Sequence, residues 1–172
     1  EIFGEMYKKG FIYKGKKPVY WCPKDETALA EAEIEYQDEK CASIYVKFAL
    51  TDDKGVISRL IGSTQNVYFV IWTTTTWTLP GNLAISVNPA FEYELVQVPN
   101  GEIYVLAKEL VKSVMAAANI SNWEMLASLS GAELEMMKTR HPVMDRDSLV
   151  ICGDHVTLDA GTGCVHTAPG FG

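Results

Sequence analysis

No apolar run in this sequence approaches the ~20 residues a membrane-spanning helix needs, which excludes a helical membrane protein. Cysteine is sparse and scattered: Cys22, Cys41, Cys152 and Cys164 include no C-x-x-C pair. Such spacing fits reduced thiols in a cytoplasmic protein better than a disulfide framework. "CGDH" sets Cys152 close before His155, half of a zinc site. Structural zinc needs four ligands, and no second pair has ligand spacing, so no metal is expected. Basic residues are outnumbered, with Lys+Arg 15 against Asp+Glu 22, a net charge of −7 and a pI near 5.0. That balance excludes a general clamp on a nucleic-acid backbone, although receiving one end of a nucleic acid held elsewhere stays open. The basic cluster Lys8, Lys9, Lys14, Lys16 and Lys17 reads at least as well as a solvated surface. Several catalytic kits are also missing: no G-x-S-x-G elbow, no G-x-x-x-x-G-K-[ST] phosphate loop, no H-E-x-x-H helix. "GTGCVH" carries a lone G-x-G, which reads as a glycine-rich turn.

What is present suits one globular domain of 172 residues, 48% hydrophobic and 22% charged, without repeats or low-complexity tracts. The chain opens at Glu1 with no signal-peptide pattern and stops in polar, glycine-rich "VHTAPGFG", so it reads as a piece of a larger protein. Residues 1–17 suggest a short helix and connector. "PVYWCP" reads as a brief strand, and "DETALAEAEIEY" as either a helix opened by Asp25 or Thr27 or a ribbon strand. "SIYVKFAL" (43–50) and "NVYFVIWT" (66–73) are strands, the second apolar on both faces and so central. Turn residues fill the loop between them. Pro80-Gly81-Asn82 breaks the ladder, and "LAISV" (83–87) and "YELVQV" (93–98) resume it. Asn100-Gly101 signals a hairpin into "EIYVLA". "KELVKSVMAAANI" predicts a helix with Leu110, Val111, Val114, Met115 and Ala118 on one face, followed by a weaker element over 122–129. "SLVICGD" (148–154) and "TGCVHTA" (162–168) complete the strands. The pattern predicts α+β architecture: a curled, mostly antiparallel sheet or β-barrel with peripheral helices.

The chemistry concentrates in "IWTTTTWTLPGN", where Thr73–Thr76 sit between Trp72 and Trp77. Threonine and tryptophan are ordinary strand residues, yet short hydroxyls and backbone N–H groups would also wall a pocket. A threonine is a weak nucleophile without a base or a terminal amine to activate it. Orienting a water and receiving oxyanion charge suits these groups better. Among the histidines, His141 and His155 read as surface residues of loops. His166, on the last apolar strand and followed by Thr167 and "APG", reads either as a satisfied core histidine or as a polar group at a cavity mouth.

"WTTTTWTLPGN", then "LAISVNP", then "GTGCVHTAPGFG", resemble the editing (CP1) domain inserted into the catalytic core of isoleucyl-tRNA synthetases. "KPVYWCPKDETALAEAEIEY" resembles the ribbon leading into that insertion in bacterial enzymes. The resemblance implies a connector over 1–17 and an editing domain over 18–172, with a ribbon at 18–42 and a barrel core at 43–172. It also implies hydrolysis of valine wrongly esterified to isoleucine tRNA, by a pocket that valine fits and isoleucine does not. By motif position, Thr73, Thr74 and Thr75 would line the valine and ester site. Trp72, Trp77 and Thr78 would shape the pocket. Asn82 and His166 would complete it, with His166 bounding the side-chain space. Thr74, Thr75, Asn82 and His166 are the implied catalytic group, and no cofactor is implied in this domain. The implied partners are the 3′ end of the mischarged tRNA and the rest of the synthetase, in the cytoplasm, with no membrane. Thr76 stands where the family commonly has proline, and Gly81 where alanine is frequent. The family's aspartate for the substrate amino group would come after Gly172, so this piece alone is expected to edit poorly. Valine and leucine enzymes carry an arginine after their threonines; "TTTTWT" has none, which favours the isoleucine family. The alternative is a non-catalytic β-barrel module holding an RNA 3′ end or a small ligand.

Overall fold

The structure, a computed structural model, describes residues 1–170 and divides into two units, Glu1–Lys40 and Cys41–Gly172. In the first unit, helix α1 (Ile2–Lys8) buries none of its residues. Strands β1 (Tyr20–Cys22) and β2 (Thr27–Leu29) pair antiparallel, with Tyr20 opposite Leu29. A single 3-10 turn, Glu31–Glu33, follows, and the Glu33 carboxylate accepts the Ala30 N–H at 2.7 Å. "DETALAEAEIEY" thus resolves as ribbon and turn. Its Ala/Glu alternation offers no apolar stripe at helical spacing to bury.

The second unit runs β3 (Ile44–Asp52), α2 (Ile57–Ile61), β4 (Val67–Thr73), β5 (Ala84–Val87), β6 (Glu92–Gln97), β7 (Ile103–Ala107), α3 (Val111–Ala117), β8 (Glu124–Ser130), β9 (Lys138–Arg140), β10 (Asp147–Cys152) and β11 (Cys164–Thr167). The strands form a 9-stranded sheet in the order β11-β5-β10-β9-β3-β4-β7-β6-β8. Most ladders are antiparallel, while β10 with β5 and β4 with β7 are parallel. Among the described residues β11 and β8 are the sheet's two edges, so the sheet is open and not a closed barrel.

β4 lies mid-sheet because both its faces are apolar: Val67, Phe69, Val70 and Ile71 are all buried. Phe48 of β3 stands directly opposite Phe69, and Ile85, Leu95, Leu106 and Met115 fill the same core. Each such side chain contributes about 1.5–3 kcal/mol on burial. The hairpin at Asn100-Gly101 forms as its sequence predicts: Gly101 takes φ +84° and the Asn100 side-chain Oδ1 accepts the Glu102 N–H at 3.0 Å. Three elements differ from expectation. The 52–66 loop holds α2, anchored by fully buried Ile57. α3 is shorter than its sequence suggests; a 3-10 turn precedes it, and Ala118, its C-cap, is exposed. The weak element near 122–129 is edge strand β8, held by pairing with β6.

The curl of the sheet is fixed where the chain enters β11. The Ala107 N–H, at the end of β7, donates to the Thr162 carbonyl at 2.9 Å. Gly163 has φ +78°, and a Cβ there would lie 2.3 Å from the Ala107 Cβ, so both conformation and space require glycine. Tyr93, fully buried on β6, donates its hydroxyl to the Gly163 carbonyl at 2.6 Å and accepts the Asn88 N–H at 3.0 Å. Tyr93→Phe leaves both backbone groups unpaired inside the core. It is expected to lower stability by about 1–3 kcal/mol, measured as a lower urea midpoint with an unchanged m-value.

Candidate active site

β4 ends at Thr73, and the chain then tightens into a 3-10 turn, Thr76–Gly81, that contains Pro80. Within this stretch the hydroxyls organise the backbone. The Thr75 N–H donates to Thr73 Oγ1 at 3.1 Å, and the Thr73 and Thr75 hydroxyls are 3.2 Å apart. Thr78 donates its hydroxyl to the Thr75 carbonyl at 2.8 Å. From the other end of the chain, β11 pairs antiparallel with β5 and sets His166 opposite Ile85. Strand alternation turns Val165 outward and buries Cys164 and His166.

The two segments meet. Thr78 Oγ1 lies 2.9 Å from His166 Nε2, and Asn82 Nδ2 lies 2.8 Å from His166 Nδ1. Donor accounting assigns the protons. The Thr78 hydrogen is committed to the Thr75 carbonyl, so His166 Nε2 carries a proton and donates it to Thr78. His166 Nδ1 then accepts from Asn82, whose second amide hydrogen goes to the Ala84 carbonyl at 2.8 Å. Asn82 Oδ1 accepts the Ser148 hydroxyl at 2.6 Å. The imidazole is neutral and buried, with both nitrogens occupied. Burial, and then the electrostatic influence of nearby His141, lower its pKa below the usual histidine value.

Thr73, Thr75, Thr78, Asn82 and His166 therefore gather at one place. Thr74 lies between them, half-buried, and its hydroxyl makes no hydrogen bond among the described residues. Asn82 is fully buried behind the ring, with its side chain committed to protein partners. It orients His166 and presents no atom to a ligand. Trp72 is half-buried beside Gly161, on the sheet face opposite to Thr73. Trp77 stays outside the cluster at 75% exposure.

His141 corrects a sequence expectation. Read as a surface loop residue, it is buried, with its ring edge-on to Phe48 at 5.8 Å. Its Nε2 donates to the Leu79 carbonyl at 2.8 Å, and its Nδ1 accepts the N–H groups of Val143 and Met144. Sequence reading also passed over Ser148 and Arg146. Ser148 had a signal, an inward position on an otherwise apolar strand; Arg146 had none, since its partners are distant backbone carbonyls. Burial raises the thiol pKa of Cys164, and burial with nearby Glu135 raises that of Cys152, so neither is an activated nucleophile.

A sequence model of the family described as tRNA synthetases class I (I, L, M and V) matches residues 1–141. The chain belongs to the class I tRNA synthetases. This synthetase segment is similar, along its whole length, to proteins named isoleucine–tRNA ligase. The Caldicellulosiruptor saccharolyticus protein is 63% identical over 171 residues, covering 99% of the chain and 18% of that relative. The Thermoanaerobacter sp. protein is 60% identical over 172 residues, covering 100% of the chain and again 18% of the relative. The segment thus spans under a fifth of the length of the curated relatives it matches. Among solved structures it resembles GlLeuRS-CP1, with a TM-score of 0.63 and 20% identity over 74% of this chain and 55% of that one. It also resembles the P. knowlesi cytosolic leucyl-tRNA synthetase editing domain, with a TM-score of 0.60 and 14% identity over 76% and 59%. At those identities the likeness establishes the fold, that of class I synthetase editing domains.

The buried imidazole gives the segment a pH signature. The folded-state pKa of His166 lies below its unfolded value near 6.5. The unfolded chain therefore binds more protons as pH falls through 6.5, and stability drops there. His166→Gln is expected to flatten the slope of unfolding free energy against pH between 7 and 5, measured by urea titration at each pH.

Proposed function

We propose that this segment is the editing unit of an isoleucyl-tRNA synthetase and hydrolyses the ester of valine misattached to isoleucine tRNA. The observation that carries the reading is the 2.9 Å contact between Thr78 and His166, which joins the threonine row to the last strand. It occurs in a chain 60% identical to an isoleucine–tRNA ligase. The synthetase core and the aminoacylated 3′ end of the tRNA are the partners of this reading, and the cytoplasm is its compartment.

In the reaction, water attacks the ester carbonyl, the bond to the ribose oxygen breaks, that oxygen takes one proton of the water, the other passes to solvent, and valine leaves as its carboxylate. The neighbouring ribose hydroxyl already activates the ester, so a well-held water suffices. Thr73, Thr74 and Thr75 supply hydroxyls to orient the water and receive oxyanion charge. His166 acts by bulk: with both nitrogens engaged it is a fixed wall, not a proton acceptor. A wall one methylene too close for isoleucine admits valine, the logic of a second sieve, for which isoleucyl-tRNA synthetase is itself a standard worked case. Trp72 lies on the opposite sheet face from Thr73, and Trp77 offers an exposed indole beside the threonine row.

The test is deacylation of valyl- and isoleucyl-esters of isoleucine tRNA by the synthetase carrying this segment. Thr74→Ala is expected to reduce valine release roughly 10²-fold, in the range of losing one oxyanion donor. His166→Ala is expected to impair valine release and to begin releasing isoleucine. A protein that binds the RNA end and leaves both esters intact would be the non-catalytic module instead.

A further inference from the structure

The loop between β9 and β10 reaches across to the turn that carries Asn82. The Arg146 guanidinium donates through Nη2 to the Pro80 carbonyl and, at 2.8 Å, to the Asn82 carbonyl. His141 Nε2 donates to the Leu79 carbonyl at 2.8 Å, which also accepts the Asn82 N–H at 2.9 Å. The loop is braced internally by His141 N–H to the Arg146 carbonyl at 3.1 Å and Arg146 N–H to the Met144 carbonyl at 2.9 Å. Three carbonyls of one four-residue turn are therefore held by two side chains from a single loop.

The turn contains Pro80, which has no N–H, and it ends at a residue whose side chain dictates the state of the imidazole. Pinning carbonyls on both sides of Gly81 removes the backbone freedom that glycine would otherwise allow. We infer that Arg146 and His141 are positioning residues, which fix the Asn82 amide and through it the ring orientation and Nε2–H tautomer of His166. Neither residue needs to touch a substrate; they act through Asn82. The consequence for specificity rests on the editing reading above, but the tautomer itself does not. If the clamp loosens, the amide can rotate, the ring can flip or exchange tautomers, and the wall moves.

The experiment observes the ring nitrogens of His166 by long-range ¹H–¹⁵N NMR in the ¹⁵N-histidine-labelled chain. Wild type is expected to show one protonated and one unprotonated nitrogen, the signature of the single Nε2–H tautomer. Arg146→Met and His141→Phe are expected to shift both signals toward averaged values while the amide spectrum stays dispersed. Arg146→Lys and His141→Gln, which keep a donor, should restore the wild-type pattern. A dispersed spectrum with unchanged His166 signals in both disrupting variants overturns the proposal. So does loss of folding in both, since the two residues would then be structural. A second arm measures the ratio of valyl- to isoleucyl-ester release in the synthetase, expected to fall roughly tenfold in Arg146→Met, within the range one methylene contributes. If wild type releases no valine, the editing reading fails and the tautomer result still decides the clamp.

Discussion

A buried chain of hydrogen bonds, Ser148 to Asn82 to His166 to Thr78 to Thr75, ties strands from the middle of the sequence to the last one. Each polar atom in it would be costly if left unpaired, because burial removes the water that would otherwise compensate. Directionality follows from that cost. The Thr78 hydroxyl hydrogen committed to a carbonyl and the Asn82 amide held by its turn together select one histidine tautomer, and the amide orientation sets the serine rotor. The apolar sheet around it exists in any α+β fold; this chain of donors makes the place specific.

The sheet topology supplies the geometry. β5 has β11 on one side and β10 on the other, so a strand from the middle of the sequence and two from its last part present Ala84, Ser148 and His166 to the same small region. Tyr93, Gly163 and Ala107 hold the entrance of the edge strand β11, beyond its ladder with β5. Glycine is required there because two backbones approach more closely than a side chain permits. A close approach of two chain segments thus helps place the strand that carries the imidazole.

The histidine's role follows from occupancy. A general base needs a free lone pair within reach of a proton. His166 has none to offer, while Thr74 still has an unengaged hydroxyl among the described residues. In the proposed editing reaction, discrimination by shape falls to the last strand and chemistry by hydroxyl-held water to the threonine row.

Strong local signals were legible in the sequence. The all-apolar run of β4 demanded a central strand, Asn100-Gly101 demanded a hairpin, and the motifs around Thr73–Asn82 and His166 announced one site from two distant stretches. Weak local signals were not: β8 is a strand through its pairing with β6, α2 is held by one buried isoleucine, and the sheet stays open where a barrel was conceivable. His141 and Arg146 lay beyond any reading of spacing, because their partners are main-chain carbonyls more than sixty positions away. Residue type and period belong to the chain and can be read along it. Which carbonyl a side chain meets, which tautomer a ring adopts and whether an indole faces solvent are set by long-range packing, where the burial of one group fixes the partners left for the next.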